Sequence, residues 1–333
     1  MRRRHLLRLA PALLLPAIAP ASGRAQGRAE GPLRVVASFS ILGDMTRQIA
    51  GERVALRTVA GPNVDAHTFQ PRPSDAEALR GASLAVRNGL GFDSWFDRML
   101  RSANWRGTTA TATDGITPRR MAPHAHGHSH GHSHGASGQG GQQQGGQQQG
   151  GQPRTVPDPH AWQDLRLGIR YVRTIGTALS AADPANAAAY AEAVEAYSAR
   201  LAALDEWVRA QIATVPEARR KVVTGHDAFG YFGAAYGIRF LAPQGVSTEA
   251  EPSAAEVGRL IRQIRSEGIT AVFLENMGNP ATLQRLAQEA GVRVRGRLYA
   301  DALSAPDGSA ATYEAMFRHN VGLLVPAMRG DAA

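Results

Sequence analysis

The chain has 333 residues, 37 of them Lys or Arg against 28 Asp or Glu, and no cysteine. The absence of cysteine excludes disulfides, thiolate metal ligands and a lipid-modified cysteine, so any metal must be held by nitrogen and oxygen. Setting aside the five arginines of residues 1–25 lowers the net charge from +9 to +4, and no dense basic run remains, which excludes a nucleic-acid footprint.

Residues 1–25 have the order of a secretory signal peptide: a basic start with Arg2, Arg3 and Arg4, an apolar run from Leu9 to Pro20, and small residues before Gln26. The apolar run is broken by Pro11 and Pro16 and falls short of the roughly 20 residues that a membrane span needs. Arg3-Arg4 followed by Leu6-Leu7 faintly resembles a twin-arginine signal, and the export route stays open. The expectation is an exported chain, soluble after cleavage. Its roughly 300 residues predict two domains.

Apolar stretches at Leu33 to Phe39, Val54 to Val59 and Leu84 to Val86 alternate with helix-like stretches at Ile41 to Ala50, Ala76 to Gly81 and Phe92 to Ser102. The rhythm returns with strands at Lys221 to Thr224, Ile238 to Ala242, Thr270 to Leu274 and Val292 to Leu298, and a last helix near Thr312 to Met328. Such alternation predicts an α/β chain with mostly parallel sheets in two lobes. Between them, Asp183-Pro184 opens an unbroken helical stretch to about Val215, with Asp183 as its N-cap. The predicted boundaries are 26–183 for the N-terminal lobe, 184–215 for the linking helix and 216–333 for the C-terminal lobe. A single stiff connector predicts small closing motions.

The segment 121–157 breaks the rhythm. It is rich in His, Gly and Gln with almost nothing apolar to bury, which predicts a disordered surface loop. Its histidines, His124, His126, His128, His130, His132 and His134, alternate with small residues and offer several weak, interchangeable zinc contacts near neutral pH. A tolerated low-complexity insertion is the alternative, and it describes the Gly-Gln tract well.

Beyond the leader and this loop, four histidines remain: His67, His160, His226 and His319. His67 lies in GPNVDAHTFQPRPSD, His160 in DPHAWQD, and His226 in TGHDAFGYFG; Asp301, in LYADALS, follows another predicted strand. In open α/β sheets ligands bind at the carboxyl ends of strands, so these loops can converge in a cleft. Three imidazoles and a carboxylate suit Zn2+, whereas Mn2+ prefers more oxygen. Taken singly, each loop histidine is more often a solvated or core residue, and the spacing has no local signature.

The five segments GPNVDAHTFQPRPSD, DPHAWQD, TGHDAFGYFGAAYG, QGVSTEAEPSAAEV and LYADALS occur in this order. Together they resemble the zinc and manganese solute-binding proteins of ABC importers, over nearly the whole chain beyond the leader. The resemblance implies two Rossmann-like (β/α)4 lobes joined by one long rigid helix, with the metal buried between them. It implies His67, His160, His226 and Asp301 as ligands, and a periplasmic monomer that docks on a membrane permease with its ATPase. Manganese-selective relatives tend to carry glutamate at the third ligand position; the histidine here, and the histidine-rich loop, resemble the zinc branch.

Asp65, Asp158 and Glu275 are candidates to hydrogen-bond ligand imidazoles, although each reads more readily as an ordinary loop or capping carboxylate. Asp227 is expected to cap a helix from Ala228, Glu249 and Glu251 to precede the cap of a helix from Pro252, and His319 to be a plain surface residue. Competing readings are a manganese or mixed-metal binding protein, a periplasmic zinc buffer or chaperone, and a metal-dependent hydrolase. Four protein donors leave no open position for an activated water, which argues against hydrolysis.

Overall fold

Val35, Val36, Ala37 and Phe39 are all buried, so strand β1 (Leu33–Phe39) is covered on both faces, as the centre of a parallel sheet must be. The computed structural model describes residues 31–121, 155–245, 247–249 and 251–331. The expected leader and the six loop histidines lie outside the described residues.

Helix α1 (Ser40–Ala50) follows β1, then strand β2 (Val54–Ala60), helix α2 (Pro73–Arg80), strand β3 (Leu84–Arg87), helix α3 (Ser94–Ser102) and strand β4 (Thr108–Thr111). The sheet order is β2-β1-β3-β4, all parallel, with Val35 beside Leu56 on one side and Leu84 on the other. β4 has no counterpart in the sequence pattern. It is an edge strand, Thr-Thr-Ala-Thr, with Ala110 alone buried, so no apolar run marks it. α2 begins three residues ahead of the predicted Ala76, because Pro73 suits a first turn and the Asp75 carboxylate accepts the Arg72 backbone N–H.

Strands β5 (Arg120–Met121) and β6 (Val156–Pro157) pair antiparallel. The two ends of the segment expected to be a disordered loop are thus strand-paired, and its residues 122–154 lie outside the described residues. After a 3-10 turn at Ala161–Gln163 comes helix α4 (Leu165–Ala182), capped by Asp164, whose carboxylate accepts the Arg166 N–H.

The long helix differs from its prediction at its start. Asp183 is not its N-cap: its N–H donates to Leu179 and terminates α4, while its carboxylate accepts hydrogen bonds from Asn186 (2.6 Å) and Tyr190 (2.9 Å). Residues Pro184–Asn186 form a 3-10 turn, and helix α5 (Ala187–Ala213) then runs 27 residues, about 40 Å. Tyr190, Val194, Tyr197, Leu201, Leu204, Val208 and Ile212 are buried at helical spacing along it. Gly176 lets α4 and α5 approach: a Cβ there would stand 2.2 Å from a Val194 methyl.

The C-terminal lobe contains strand β7 (Lys221–Val223), helix α6 (Gly230–Tyr236), strand β8 (Arg239–Leu241), helix α7 (Ala254–Glu267), strand β9 (Val272–Glu275), helix α8 (Pro280–Ala290), strand β10 (Val294–Leu298) and helix α9 (Tyr313–Arg329). Its parallel sheet has the order β10-β9-β7-β8. The architecture is the expected one, two parallel-sheet α/β lobes with a long helix between. One hydrophobic cluster runs from the first sheet through α4, α5 and α9 to one side of the second sheet. A separate cluster joins the second sheet to α7 and α8. No helix among the described residues is long and apolar enough to cross a membrane.

Candidate metal centre

Beyond β2 the chain runs without regular structure from residue 61 to 72, and His67 stands in the middle of this stretch. Trp95 Nε1 donates to the Ala66 carbonyl (2.7 Å), and Asp65 Oδ1 accepts the His67 backbone N–H (2.9 Å). His160 follows β6 by three residues. Its loop is held by Asn88, whose side chain donates to the Pro159 carbonyl (3.0 Å) and accepts the Tyr171 hydroxyl (2.7 Å). His226 lies three residues past β7, and Asp301 three residues past β10.

These four side chains meet. One ligand atom from each lies within 4.8 Å of all the others. Asp301 Oδ2 is 2.9 Å from His226 Nε2 and 3.2 Å from His67 Nε2, and Oδ1 is 3.6 Å from His160 Nε2. The imidazole centroids form a near-equilateral triangle with sides of 5.4, 5.6 and 5.7 Å. His160, His226 and Asp301 are buried, and the His67 side chain is 6% exposed. Among the described residues Asp301 Oδ1 has no hydrogen-bond partner although buried, a costly arrangement for a carboxylate unless a cation shares the space. Three imidazole nitrogens and a carboxylate are a donor set that can hold a divalent metal ion, with Oδ1 as a further oxygen.

Two of the three outer carboxylates touch the rings. Asp158 Oδ1 accepts both the backbone N–H of His160 (3.0 Å) and its Nδ1–H (2.8 Å). Glu275 Oε2 lies 2.6 Å from His226 Nδ1, while Oε1 accepts the backbone N–H groups of Gly225 and His226. Such partners leave Nε2 of each ring as the outward donor. Asp65 touches no ring and is the loop carboxylate its residue type favours: it binds the backbone of His67, and its other oxygen accepts the Thr248 hydroxyl at 2.7 Å. A carboxylate two residues upstream bends most readily onto the following backbone N–H.

Burial lowers the pKa of His67, only partly offset by Asp301. Burial pulls His226 the same way, but Glu275 and Asp301 outweigh it and hold the imidazole well above its ordinary 6.5. Asp301, which burial pushes up, is held well below the usual carboxylate range by His226 and His160.

Sequence reasoning missed the residues that hold Asp301. Trp162 Nε1 (3.0 Å) and Gln163 Nε2 (2.8 Å) both donate to the Ala300 carbonyl, and Ser40 Oγ accepts the Leu303 N–H (2.9 Å). Asn320 clamps Tyr299 through both backbone groups. Trp162 and Gln163 stand in the DPHAWQD segment, yet nothing local signals a target so far along the chain. Two minor expectations shift and a third holds. α6 starts at Gly230, so Asp227 does not cap it; its N–H donates to the Gly245 carbonyl. α7 is capped by Ser253 with Glu256, while Glu251 accepts from Thr282. His319 stays at the surface, donating to the Arg297 carbonyl.

Residues 35–327 match the family described as "ZnuA: Zinc-uptake complex component A periplasmic". The manganese-binding lipoprotein MntA of Bacillus subtilis is 29% identical over 302 residues, covering 89% of this chain and 90% of that one. The iron-binding protein YfeA of Yersinia pestis is 27% identical over 290 residues, 86% of this chain and 84% of that one. The periplasmic zinc binding protein TroA from Treponema pallidum superposes with a TM-score of 0.75 at 27% identity, covering 90% and 99% of the two chains. A manganese-bound periplasmic metal binding protein from Candidatus Liberibacter asiaticus gives 0.71 at 28% identity, covering 88% and 98%. The chain belongs to the zinc-uptake complex component A family, the metal-binding substrate-binding proteins of ABC importers.

Proposed function

We propose that this protein captures Zn2+ in the periplasm, using His67, His160, His226 and Asp301, and delivers it to the permease of an ABC importer. The observation that carries this reading is the convergence of three imidazoles and one carboxylate within 4.8 Å, most of it buried. Histidine at position 226, rather than a carboxylate, favours zinc over manganese. Binding of Mn2+, or of both metals, is the second reading; the unpartnered Asp301 Oδ1, able to add an oxygen donor, speaks for it, as do the manganese-named relatives.

In this reading a leader of residues 1–25 is cleaved, the lobes are 26–183 and 216–333, and the helix 184–215 joins them. The mature protein acts as a monomer. Asp158 and Glu275 orient their imidazoles, and the loop histidines 124–134 add weak zinc contacts beside the tight site. Deleting 121–157 is then expected to lower the number of zinc ions bound and leave the tightest one nearly unchanged. Loss of the tight site would give the loop a direct part in it.

The test is competition titration of the metal-free protein with zinc and manganese, together with elemental analysis of the protein purified from the periplasm. Single alanine replacements of the four donors should each weaken the tight site; if none does, the ligand assignment fails. A coordinated, exchangeable water seen by spectroscopy would favour a hydrolase instead. A gene neighbourhood without permease and ATPase would favour a zinc buffer.

A further inference from the structure

Three of the four proposed donors are held from behind, and one is not. His160 is backed by Asp158 and His226 by Glu275, at 2.8 and 2.6 Å from their Nδ1 atoms. The backbone bearing Asp301 is gripped at Ala300 by Trp162 and Gln163. His67 differs on each count. It stands on the irregular stretch 61–72, and among the described residues its Nδ1 has no partner. It is also the donor that reaches solvent, through a cleft of about 340 Å³ lined by Phe92, Trp95, Val156, Ser247 and Glu249.

Two contacts position the backbone at His67: Trp95 Nε1 on the Ala66 carbonyl, and Asp65, both of whose oxygens are engaged. Oδ1 takes the His67 backbone N–H, and Oδ2 takes the hydroxyl of Thr248, which lies ahead of α7 in the opposite lobe. A single carboxylate therefore couples the pose of one donor to a contact that crosses the mouth of the site.

We propose that His67 is the exchange ligand, the donor that arrives last and leaves first, and that the Thr248–Asp65 hydrogen bond is the clasp that sets the rate. The inference rests on the metal-binding reading above. An ion leaving a four-donor shell sheds its donors one after another. The first to go is the one whose withdrawal breaks the fewest buried contacts and opens a path to water. Rotating His160 or His226 breaks a contact to a buried carboxylate, and moving Asp301 disturbs a doubly bonded carbonyl. Swinging His67 outward breaks no carboxylate brace on its Nδ1: once the clasp frees the backbone at Asp65, the ring parts from Asp301 and the edge of Phe92, while three donors still hold the ion at the cleft. Thr248 is a positioning residue, acting through Asp65.

The test is stopped-flow transfer of Zn2+ from the zinc-loaded full chain to excess chelator. T248V keeps the shape of the side chain and removes its hydroxyl; it is expected to release zinc about fivefold faster, the effect of one lost hydrogen bond, with unchanged stoichiometry at the tight site. T248S, which retains the hydroxyl, should stay within about twofold of the unaltered chain. H67A should keep a weakened, fast-exchanging site, while H160A loses more affinity. Release from T248V at the original rate, T248S as fast as T248V, or H67A as damaging as H160A each overturns the proposal. Failure of the unaltered chain to hold zinc tightly would instead refute the metal-binding reading, and equilibrium titration separates that result from the others.

Discussion

The two lobes share a four-stranded parallel sheet but deliver their donors differently. In the C-terminal lobe His226 and Asp301 leave the sheet three residues after a strand; Glu275, which closes β9, supports His226, while the Asp301 backbone is held by Asn320 of α9 on Tyr299 and, from the other lobe, by Trp162 and Gln163 on Ala300. In the N-terminal lobe His67 and His160 sit on irregular loops, and scattered side chains hold them: Trp95, Asn88, Tyr171, Asp158 and, from across the cleft, Thr248. The difference teaches that one pair of donors stands close to its sheet, whereas the other pair depends on loop contacts that can be loosened one hydrogen bond at a time.

The sharpest way to break this contrast is to remove a sheet-borne donor. Structural zinc sites are worth about 10–16 kcal/mol over four ligands, so losing His226 or Asp301 to alanine should cost on the order of 3 kcal/mol, about 100-fold in affinity. A competition titration showing less than about 10-fold would mean that the sheet-borne pair does not anchor the metal. Next comes Glu275→Gln, which keeps the shape and removes the charge behind His226; we expect zinc binding about 10 to 100-fold weaker. Wild-type affinity in this variant would mean that the carboxylate only braces the backbone.

Protons supply a third measurement. Glu275 and Asp301 flank the two ring nitrogens of His226 and raise its pKa, so zinc binding is expected to displace a proton from this imidazole. About one proton should be released per zinc, read by calorimetry in buffers of differing ionisation enthalpy, and affinity should fall as the pH is lowered. The sign for stability is opposite. The imidazolium stabilises the metal-free fold fully below the unfolded value of about 6.5, and this contribution is lost as pH rises through the raised folded value. Zinc uptake without proton release would contradict the charge assigned to His226. The smallest effect on the site belongs to Gly176→Ala, which crowds α4 against Val194. It should lower stability by about 1–3 kcal/mol in thermal melts and leave zinc affinity unchanged.

Much of the fold was legible because buried parallel strands are nearly continuous apolar runs, as Leu33 to Phe39 is; the edge strand Val54–Ala60 is half exposed and is marked only by Val54, Leu56, Val59 and Ala60. β4 escaped notice because a strand at a sheet edge needs no such run. His67, His160, His226 and Asp301 could be picked out because each sits in a recognisable segment. Their meeting could not be read from spacing, since His67 and Asp301 are 234 positions apart. The supports were hidden for the same reason: Thr248 meets Asp65 across 183 positions, and Gln163 meets Ala300 across 137. Asp183 and Asp227 looked like caps by residue type, but a side chain caps only if the following backbone turns at once. After Asp183 a 3-10 turn intervenes, and after Asp227 the helix waits until Gly230.

The doubly bonded carbonyl of Ala300 has a bearing on how the lobes can part. A residue rooted in the second sheet is fastened by Trp162 and Gln163 to the first, in a place that water does not reach. Opening the molecule like a book would strand that oxygen and both of its donors, a penalty of roughly 1–3 kcal/mol for each buried group left unmatched. Cargo is then exchanged more cheaply by a local shift at the rim than by separation of the halves, and the protein presents its permease with nearly the same outline whether full or empty.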